Sequence, residues 1–289
     1  MSQRYPTAFL GEEAAATSAE GARVSVLPVP YEATVSWKPG TADGPRAILD
    51  ASPYLEFYDE QLDCEPWKAG IWTEPPIDLE GLAPEIAFER LEARFGELLD
   101  SGRWPIALGG EHSITPGMVA ATAARHEGLT VVQFDAHADL RQSYGGSEHN
   151  HACAMARCVE RVPVRAFGIR SYTRDEREWM RTAGDRYAIV HAWEMEARDK
   201  IEAILDAIRG PVYLTFDVDG LDPSIVPATG TPEPGGLAWY PTLALLEELF
   251  ARTEVVAADV VELAPSLELH HAEFTVARLV HKLIGLKVR

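Results

Sequence analysis

Residues 131–141 read VVQFDAHADLR, a largely apolar run that ends in three polar residues at alternate positions. Such a short run, rich in β-branched and aromatic residues, predicts a buried β-strand. Apolar residues follow one another there instead of alternating with polar ones, which is typical of a parallel sheet covered by helices on both faces. The polar residues Asp135, His137 and Asp139 come where this strand ends. In open α/β sheets, binding sites lie beyond the carboxyl ends of the strands.

Similar runs recur along the chain and alternate with longer amphipathic segments. We predict strands at residues 22–29, 69–73, 104–110, 129–135, 164–169, 187–192, 212–218 and 254–263. Helical spacing of apolar residues predicts helices that include 83–102, 198–210, 241–253 and 272–286. No Gly/Ser-rich linker or repeat interrupts the middle of the chain. We therefore predict one α/β domain over residues 1–289, with residues 1–21 as an N-terminal extension.

The amino-acid composition and net charge exclude several classes of protein. The chain has 289 residues, 46% of them hydrophobic, which is enough for a sizeable core. Its formal net charge of −19 argues against nucleic-acid and anionic-membrane partners, because both are bound through positive fields. The three cysteines form no CxxC pair, and residues 1–21 contain acids and no continuous apolar run, so we expect no signal peptide. These features predict a soluble cytoplasmic protein without a membrane partner.

Two further predicted strands end in the same kinds of side chain. Residues 104–113, WPIALGGEHS, present His112, and residues 212–223, VYLTFDVDGLDP, present Asp217 and Asp219. If the backbone stays extended, alternate residues share a face and converge at one edge of the sheet. Carboxylates crowded out of water repel one another, and divalent cations remove that cost. The set offers enough ligands for two ions that share bridging carboxylates: His112, Asp135, His137, Asp139, Asp217 and Asp219.

Other conspicuous residues fit structural roles. A lone Asp at the end of a strand is usually a turn former or a helix cap, and we expect this of Asp222. Cys153 and Cys158 lie in the predicted helical stretch HACAMARCVERV (151–162), where small buried thiols are common packing residues.

Several motifs together resemble a known family. GGEHS, FDAHADLR, HNHACAMAR, FDVDGLDPSIVPATGTPEPGG and VVELAP occur in the order and approximate spacing of the ureohydrolase (arginase/agmatinase) family, and look most like its agmatinase branch. The stretch VLPVPYEATVSWKPGTADGPRAILDAS (26–52) is similar to the substrate-side segment of agmatinase-like proteins. The resemblance runs from about residue 22 to the end. It implies a single-domain, three-layer α/β/α fold with an eight-stranded, mainly parallel sheet.

The same resemblance implies two Mn²⁺ ions per subunit, hydrolysis of a guanidino group to urea and an amine, and a homotrimer or homohexamer. It assigns one ion to His112, Asp135, Asp139 and Asp217. It assigns the other ion to Asp135, His137, Asp217 and Asp219. Asp135 and Asp217 would then bridge the two ions.

Two catalytic residues are also implied by the resemblance. His151, in NHACAMAR, is the candidate proton shuttle, since the leaving amine must be protonated. Its neighbour His149 is a rival, because HNH departs from the Ser-His-Ala that is usual in close relatives. Glu262, in VVELAP, matches the acid that pairs with the guanidinium, and a carboxylate can accept two parallel N–H bonds from that group.

The far end of the substrate is less constrained. The loop LRQSYGGSEHN (140–150) lacks the Asn/Ser/Thr pattern by which arginase-type enzymes hold an α-carboxylate, although Arg141 and Ser143 could contact one. The absence of this pattern favours agmatine as the substrate, and its hydrolysis would yield putrescine and urea. Tyr144 is a candidate lid, and Glu233 is a candidate partner for a distal amine. Aminopropylagmatine, guanidinobutyrate and arginine stay open as substrates. So does a catalytically silent, metal-binding member of the family.

Overall fold

Eight parallel strands form one sheet at the centre of the structure, a computed structural model that describes residues 8–289. The strand order across the sheet is β2-β1-β3-β8-β7-β4-β5-β6, and every paired neighbour runs parallel. The strands are β1 Val24–Val29, β2 Ile71–Thr73, β3 Trp104–Gly109, β4 Thr130–Phe134, β5 Val164–Ile169, β6 Tyr187–His191, β7 Val212–Asp217 and β8 Val255–Val261. All eight fall within the predicted ranges, and the α/β fold class is confirmed.

Helices cover both faces of the sheet. They are α1 Gly44–Ala51, α2 Pro84–Asp100, α3 Thr115–Ala123, α4 Ala154–Val159, α5 Arg174–Thr182, α6 Arg198–Ala207, α7 Trp239–Arg252 and α8 His270–Val288. Residues of α1, α6, α7 and α8 join one apolar core, and residues of α2 to α5 join the other. Alternate residues of one strand point to opposite cores, as Val131 and Val132 do. The three-layer α/β/α arrangement is therefore as the resemblance implied.

Helix α3 shows why periodicity alone left some helices without a predicted range. Eight consecutive residues of α3, from Thr115 to Thr122, are buried. A helix buried on all sides has no polar face, so its sequence carries no amphipathic signal.

The N-terminal extension is part of the fold where it is described. Phe9 and Leu10 are buried, and their backbone N–H groups donate to the side chains of Thr73 and Ser52, each at 2.9 Å. Residues 1–7 of the predicted extension lie outside the described residues, and the assignment of all of 1–289 to one domain stays a prediction. No helix among residues 8–289 is both long and apolar enough to cross a membrane.

The strand order matters for the site. Strands β3 and β4 follow each other in the chain, yet β8 and β7 lie between them in the sheet. The chain forms β1 to β3 on one side of the sheet and β4 to β6 on the other, and then places β7 and β8 between them. Such a switch in strand order opens a crevice beyond the carboxyl ends of the central strands, where α/β proteins bind ligands.

Candidate active site

The four central strands deliver the predicted site residues to this crevice. Asp217 is the last residue of β7, Asp135 follows β4 directly, and Glu262 follows β8 directly. His112 opens a short 3-10 helix just after β3. Two close approaches of the backbone make this possible. A Cβ on Gly110 would lie 2.0 Å from the Tyr31 carbonyl oxygen, and one on Gly220 would lie 2.8 Å from the Asp135 nitrogen.

The expected mechanism of convergence, an extended backbone with side chains on one face, is wrong. Strand β4 ends at Phe134, and Asp139 lies in the left-handed region with φ +52°. Asp219 lies in a 3-10 turn, Val218–Gly220. Turns bring the side chains together, and the first Asp of each motif stabilises the turn. Asp135 accepts the His137 N–H at 2.6 Å, and Asp217 accepts the Asp219 N–H at 2.9 Å.

The resulting side chains form two overlapping groups. In the first, His112 Nδ1 lies 3.2 Å from Asp135 Oδ2 and 3.1 Å from Asp139 Oδ2. The same nitrogen lies 3.5 Å from Asp217 Oδ2. In the second group, His137 Nδ1 lies 2.9 Å from Asp219 Oδ2 and 3.7 Å from Asp135 Oδ1. Ligand atoms lie within 4.8 Å of one another among His112, Asp135 and Asp139 and among Asp135, His137 and Asp219, so Asp135 belongs to both groups, and Asp217 borders the first.

Hydrogen bonds on the Nε2 side of His112 determine which ring nitrogen carries the proton in the neutral form. Asp259 accepts the hydroxyl protons of Thr115, Tyr213 and Thr215, the last at 2.6 Å. Thr215 therefore has no proton left for His112 Nε2, 2.9 Å away, and must accept one from it. In the neutral ring this leaves a lone pair on Nδ1, directed at three carboxylate oxygens. A buried lone pair among anions is a site for a cation.

Without a cation, protons take that place. Burial alone would lower the pKa of His112, but Asp135 and Asp139 outweigh it and raise the pKa well above its usual value. Burial, together with the charges of Asp219 and Asp139, raises the pKa of Asp135 to about 7. Burial opposes a charge on His137 too, yet Asp219 raises its pKa to about 10. These shifts have one cause, carboxylates crowded together away from water, and the oxygen and imidazole donors of the cluster fit hard divalent cations.

Glu262 lies at the wall of the same cluster. Its backbone adopts φ +68°, a conformation that non-glycine residues rarely take, and its Oε1 accepts the backbone N–H of His112 at 2.6 Å. Burial and the nearby carboxylate of Glu111 raise the pKa of Glu262 well above its usual value. Asp139 shares the unusual backbone conformation. Strained backbone of this kind concentrates at functional sites.

The two rival histidines occupy different environments. His151 lines the cavity beside the cluster, and its ring nitrogens lie 2.9 Å from the hydroxyl oxygens of Thr34 and Ser36. His149 packs against Phe88 of α2, with ring centroids 5.4 Å apart, and does not line the cavity. This geometry favours His151 for contact with a substrate.

The cavity has a volume of about 340 Å³, and two cation–aromatic pairs are among the side chains that line it. Lys38 lies over the ring of Trp37 at 4.8 Å, and Arg141 lies over the ring of Tyr144 at 4.4 Å. Among the residues considered for the distal end of a substrate, Arg141 and Tyr144 line the cavity. Ser143 and Glu233 do not.

Four residues that support the site were absent from the sequence-based candidates: Thr34, Glu111, Thr215 and Asp259. Thr34 lies in the segment that resembles the substrate side of agmatinase-like proteins, so that segment was a usable signal. Asp259 lies inside β8, where only its complete burial reveals its role. The structural assignments are confirmed. Asp222 accepts hydrogen bonds from Ser224 and Gly236 in a turn, and Cys153 and Cys158 are buried and unpaired.

Comparisons with known proteins agree with this geometry. A sequence model of the Arginase family matches residues 22–285. The N(1)-aminopropylagmatine ureohydrolase of Synechocystis sp. is 39% identical over 97% of this chain and 94% of its own length. The agmatinase of Pyrococcus horikoshii is 36% identical, with 91% and 92% covered. The crystal structure of the agmatine ureohydrolase of Thermoplasma volcanium superposes with a TM-score of 0.84 at 29% identity, with 95% and 92% covered. The chain belongs to the arginase family.

Proposed function

We propose that this protein hydrolyses the guanidino group of a small cationic substrate to urea and an amine with the help of two Mn²⁺ ions. The observation that carries the proposal is the pair of overlapping ligand groups that share Asp135 in one crevice. We propose that one ion is held by His112, Asp135, Asp139 and Asp217, and the other by Asp135, His137, Asp217 and Asp219. An oxygen-rich set with two imidazoles and no thiolate suits Mn²⁺. When bound, two such ions supply a nucleophile derived from water at neutral pH.

Glu262 would hold the guanidinium. Its carboxylate borders both the metal cluster and the cavity, and a carboxylate can accept two parallel N–H bonds and so fix the plane of that group. Burial and the Glu111 carboxylate raise the pKa of Glu262, so its ionised form would gain from a cationic partner. A bound guanidinium would provide that partner and favour the ionised form.

His151 would protonate the leaving amine. The guanidinium carbon is a poor electrophile because resonance spreads its charge, and the tetrahedral adduct collapses to urea only when the amine leaves with a proton. The ring of His151 lies on the cavity wall and is held at both nitrogens, so it is fixed in position for this transfer.

Two substrates share the required guanidino end. Agmatine is the one that the sequence motifs favour. N(1)-aminopropylagmatine, which carries a longer cationic tail, gains support from the 39% identity to the Synechocystis enzyme. Trp37 lines the cavity and is 63% exposed, so its ring would be available to contact such a tail. We propose N(1)-aminopropylagmatine as the preferred substrate and agmatine as the second, in a cytoplasmic homotrimer or homohexamer.

Metal removal tests the proposed chemistry. Urea release should fall to background after chelation and return when Mn²⁺ is restored, because the ligand cluster then regains the positive charge that it needs. Urea would be measured by a colorimetric assay, with metal content determined by elemental analysis of the same samples. Full turnover by rigorously metal-free protein would refute the proposal. A protein that binds Mn²⁺ but releases no urea from any guanidino compound would be a silent family member.

A substrate panel tests the tail. The Mn²⁺-loaded protein should show its highest kcat/KM with N(1)-aminopropylagmatine and its second highest with agmatine, and the reverse order would make agmatine the preferred substrate. The matched control is 4-guanidinobutyrate, which has the length of agmatine but ends in a carboxylate. Because Arg141 lines the cavity, a higher kcat/KM for guanidinobutyrate would show that this cation selects an acidic tail and would overturn the cationic-substrate proposal.

A further inference from the structure

The ring of His151 is connected to a buried carboxylate through a threonine. His151 Nδ1 lies 2.9 Å from Thr34 Oγ1, and the backbone N–H of His151 donates to the same oxygen at 3.0 Å. Thr34 Oγ1 in turn donates to Glu111 Oε1 at 2.9 Å. A chain of contacts therefore runs from the imidazole through Thr34 to Glu111. Thr34 and Glu111 lie in loops, and His151 is the first residue of a 3-10 helix, His151–Cys153.

Glu111 is held so that it can only accept. Its Oε2 receives the backbone N–H groups of Ala33 and Thr34 at 2.9 and 2.7 Å, and its Oε1 receives the hydroxyls of Thr34 and Ser113. The side chain is almost completely buried, and its own backbone N–H donates to the Tyr31 carbonyl. Four donors around one carboxylate fix both its position and its role as an acceptor.

This arrangement determines the tautomer of His151. A hydroxyl has one proton and two acceptor sites. If Thr34 gave its proton to His151 Nδ1, the carboxylate of Glu111 would face a bare oxygen at 2.9 Å. The proton therefore goes to Glu111, and both acceptor sites of Thr34 Oγ1 take N–H groups of His151, one from the backbone and one from Nδ1. Neutral His151 thus carries its proton on Nδ1 and a lone pair on Nε2.

We propose that Glu111 and Thr34 are positioning residues that fix the tautomer of His151, so that every proton it transfers enters and leaves at Nε2. This inference rests on the proposed function only for the identity of the reaction. The hydrogen bonds that carry it are independent of the metal ions and of the substrate.

The hydrogen-bond partners of the two ring nitrogens of His151 differ in whether they permit a change of protonation state. On the Nδ1 side, the buried carboxylate commits Thr34 to accept. On the Nε2 side, the exposed hydroxyl of Ser36 can donate to the lone pair or accept from an N–H by rotating. Nδ1 is therefore locked and Nε2 is free to change its protonation state.

The proton balance is simple. As the C–N bond to the amine breaks, the leaving nitrogen gains one proton from the hydroxyl group of the tetrahedral adduct and a second from Nε2–H of the imidazolium, and the ring keeps its Nδ1–H hydrogen bond to Thr34. The water that adds to the guanidinium carbon gives up the proton that returns Nε2 to its protonated form. Over one turnover, guanidinium and water become urea and an ammonium, with no net change in the ring.

Glu111→Gln tests whether the carboxylate fixes the tautomer of His151, because it removes the charge without altering the shape of the side chain. The backbone N–H groups of Ala33 and Thr34 would hold the amide oxygen at the Oε2 position, which places the NH₂ group against Thr34 Oγ1. Thr34 would then accept from the amide and donate its own proton to His151 Nδ1. We expect the neutral tautomer of His151 to change from Nδ1–H to Nε2–H, as the loss of an acceptor-only partner does for a catalytic histidine elsewhere.

The measurement is ¹⁵N NMR of histidine ring nitrogens in protein loaded with diamagnetic Zn²⁺, because paramagnetic Mn²⁺ would broaden the signals. The His151 signals are assigned by their loss in His151→Asn. Nδ1–H in the wild type and Nε2–H in Glu111→Gln would support the proposal. Nε2–H in the wild type, or the same tautomer in both proteins, would overturn it. This readout does not depend on activity, so it stays decisive even if no guanidino compound is hydrolysed.

Kinetics of two Thr34 variants provide the second test. Thr34→Val keeps the shape but loses the hydroxyl, and kcat should fall about 10- to 100-fold, a part of what an acid–base group contributes, with KM within about twofold. Thr34→Ser restores the hydroxyl and should recover most of the lost kcat. Equal kcat values for the two variants would show that the hydroxyl has no positioning role. A loss of activity confined to KM would also contradict the proposal.

Discussion

Asp135→Asn should abolish urea release, with a loss of at least about 10³-fold, because Asp135 is the carboxylate that we propose to bridge both metal ions. An amide is neutral, and its NH₂ group is a hydrogen-bond donor and not a metal ligand. In either orientation of the amide, this group would replace a carboxylate oxygen on the His112 side or on the His137 side of the cluster. The bound metal, measured by elemental analysis after gel filtration, should fall together with activity. We expect this change, and the matching change at Asp217, the other proposed bridge, to have the largest effects of any single substitutions.

Loss of fold is excluded by a stability measurement. Burial and neighbouring carboxylates raise the folded-state pKa of Asp135 to about 7, above its unfolded value, so its ionisation costs stability as pH rises through that interval. Removing this charge should leave the melting temperature of the metal-free protein no lower than that of the wild type at pH 8. Asp222→Asn is the control, since Asp222 acts in a turn outside the cluster. Wild-type activity in Asp135→Asn would show that the metal centre lies elsewhere.

His151→Asn should lower kcat by on the order of 10²–10⁴-fold, the usual contribution of a general acid–base group, while metal content stays near that of the wild type. The structure explains why activity should fall without a loss of bound metal. His151 lies on the cavity wall and contacts Thr34 and Ser36, and neither of these residues belongs to the ligand cluster. Steady-state urea release and elemental analysis on the same preparation would measure both quantities.

His149→Asn is the matched control for that variant. His149 packs against Phe88, and its backbone N–H donates to Ser147, so its replacement should alter loop packing and cost much less activity. If instead His149→Asn lost activity and His151→Asn kept it, the proton-transfer role would belong to His149. The HNH sequence would then have moved that role by two residues.

The sequence by itself determined the kind of fold and the kind of site. Short apolar runs such as VVQF predicted the parallel strands, because a strand buried on both faces must be apolar throughout. Asp135, Asp217 and Glu262 each stand at or just after the end of such a strand, so their chemistry and their shared edge were predictable from local pattern. The motifs that resemble the ureohydrolases added the ligand assignment. These features are visible in the sequence because each depends on residues close together along the chain.

Only the tertiary structure decided how the site is assembled. The order β3-β8-β7-β4 brings His112, Glu262, Asp217 and Asp135 side by side, and strand order depends on crossover connections that leave no local signal. The turns that aim the ligands replaced the extended backbone expected from their alternate spacing. The contacts of His151 with Thr34, and of Thr34 with Glu111, join residues as far apart as 117 positions. The sequence predicted the candidate reacting groups, whereas hydrogen bonds between residues far apart in the chain decide how each group is held in the crevice.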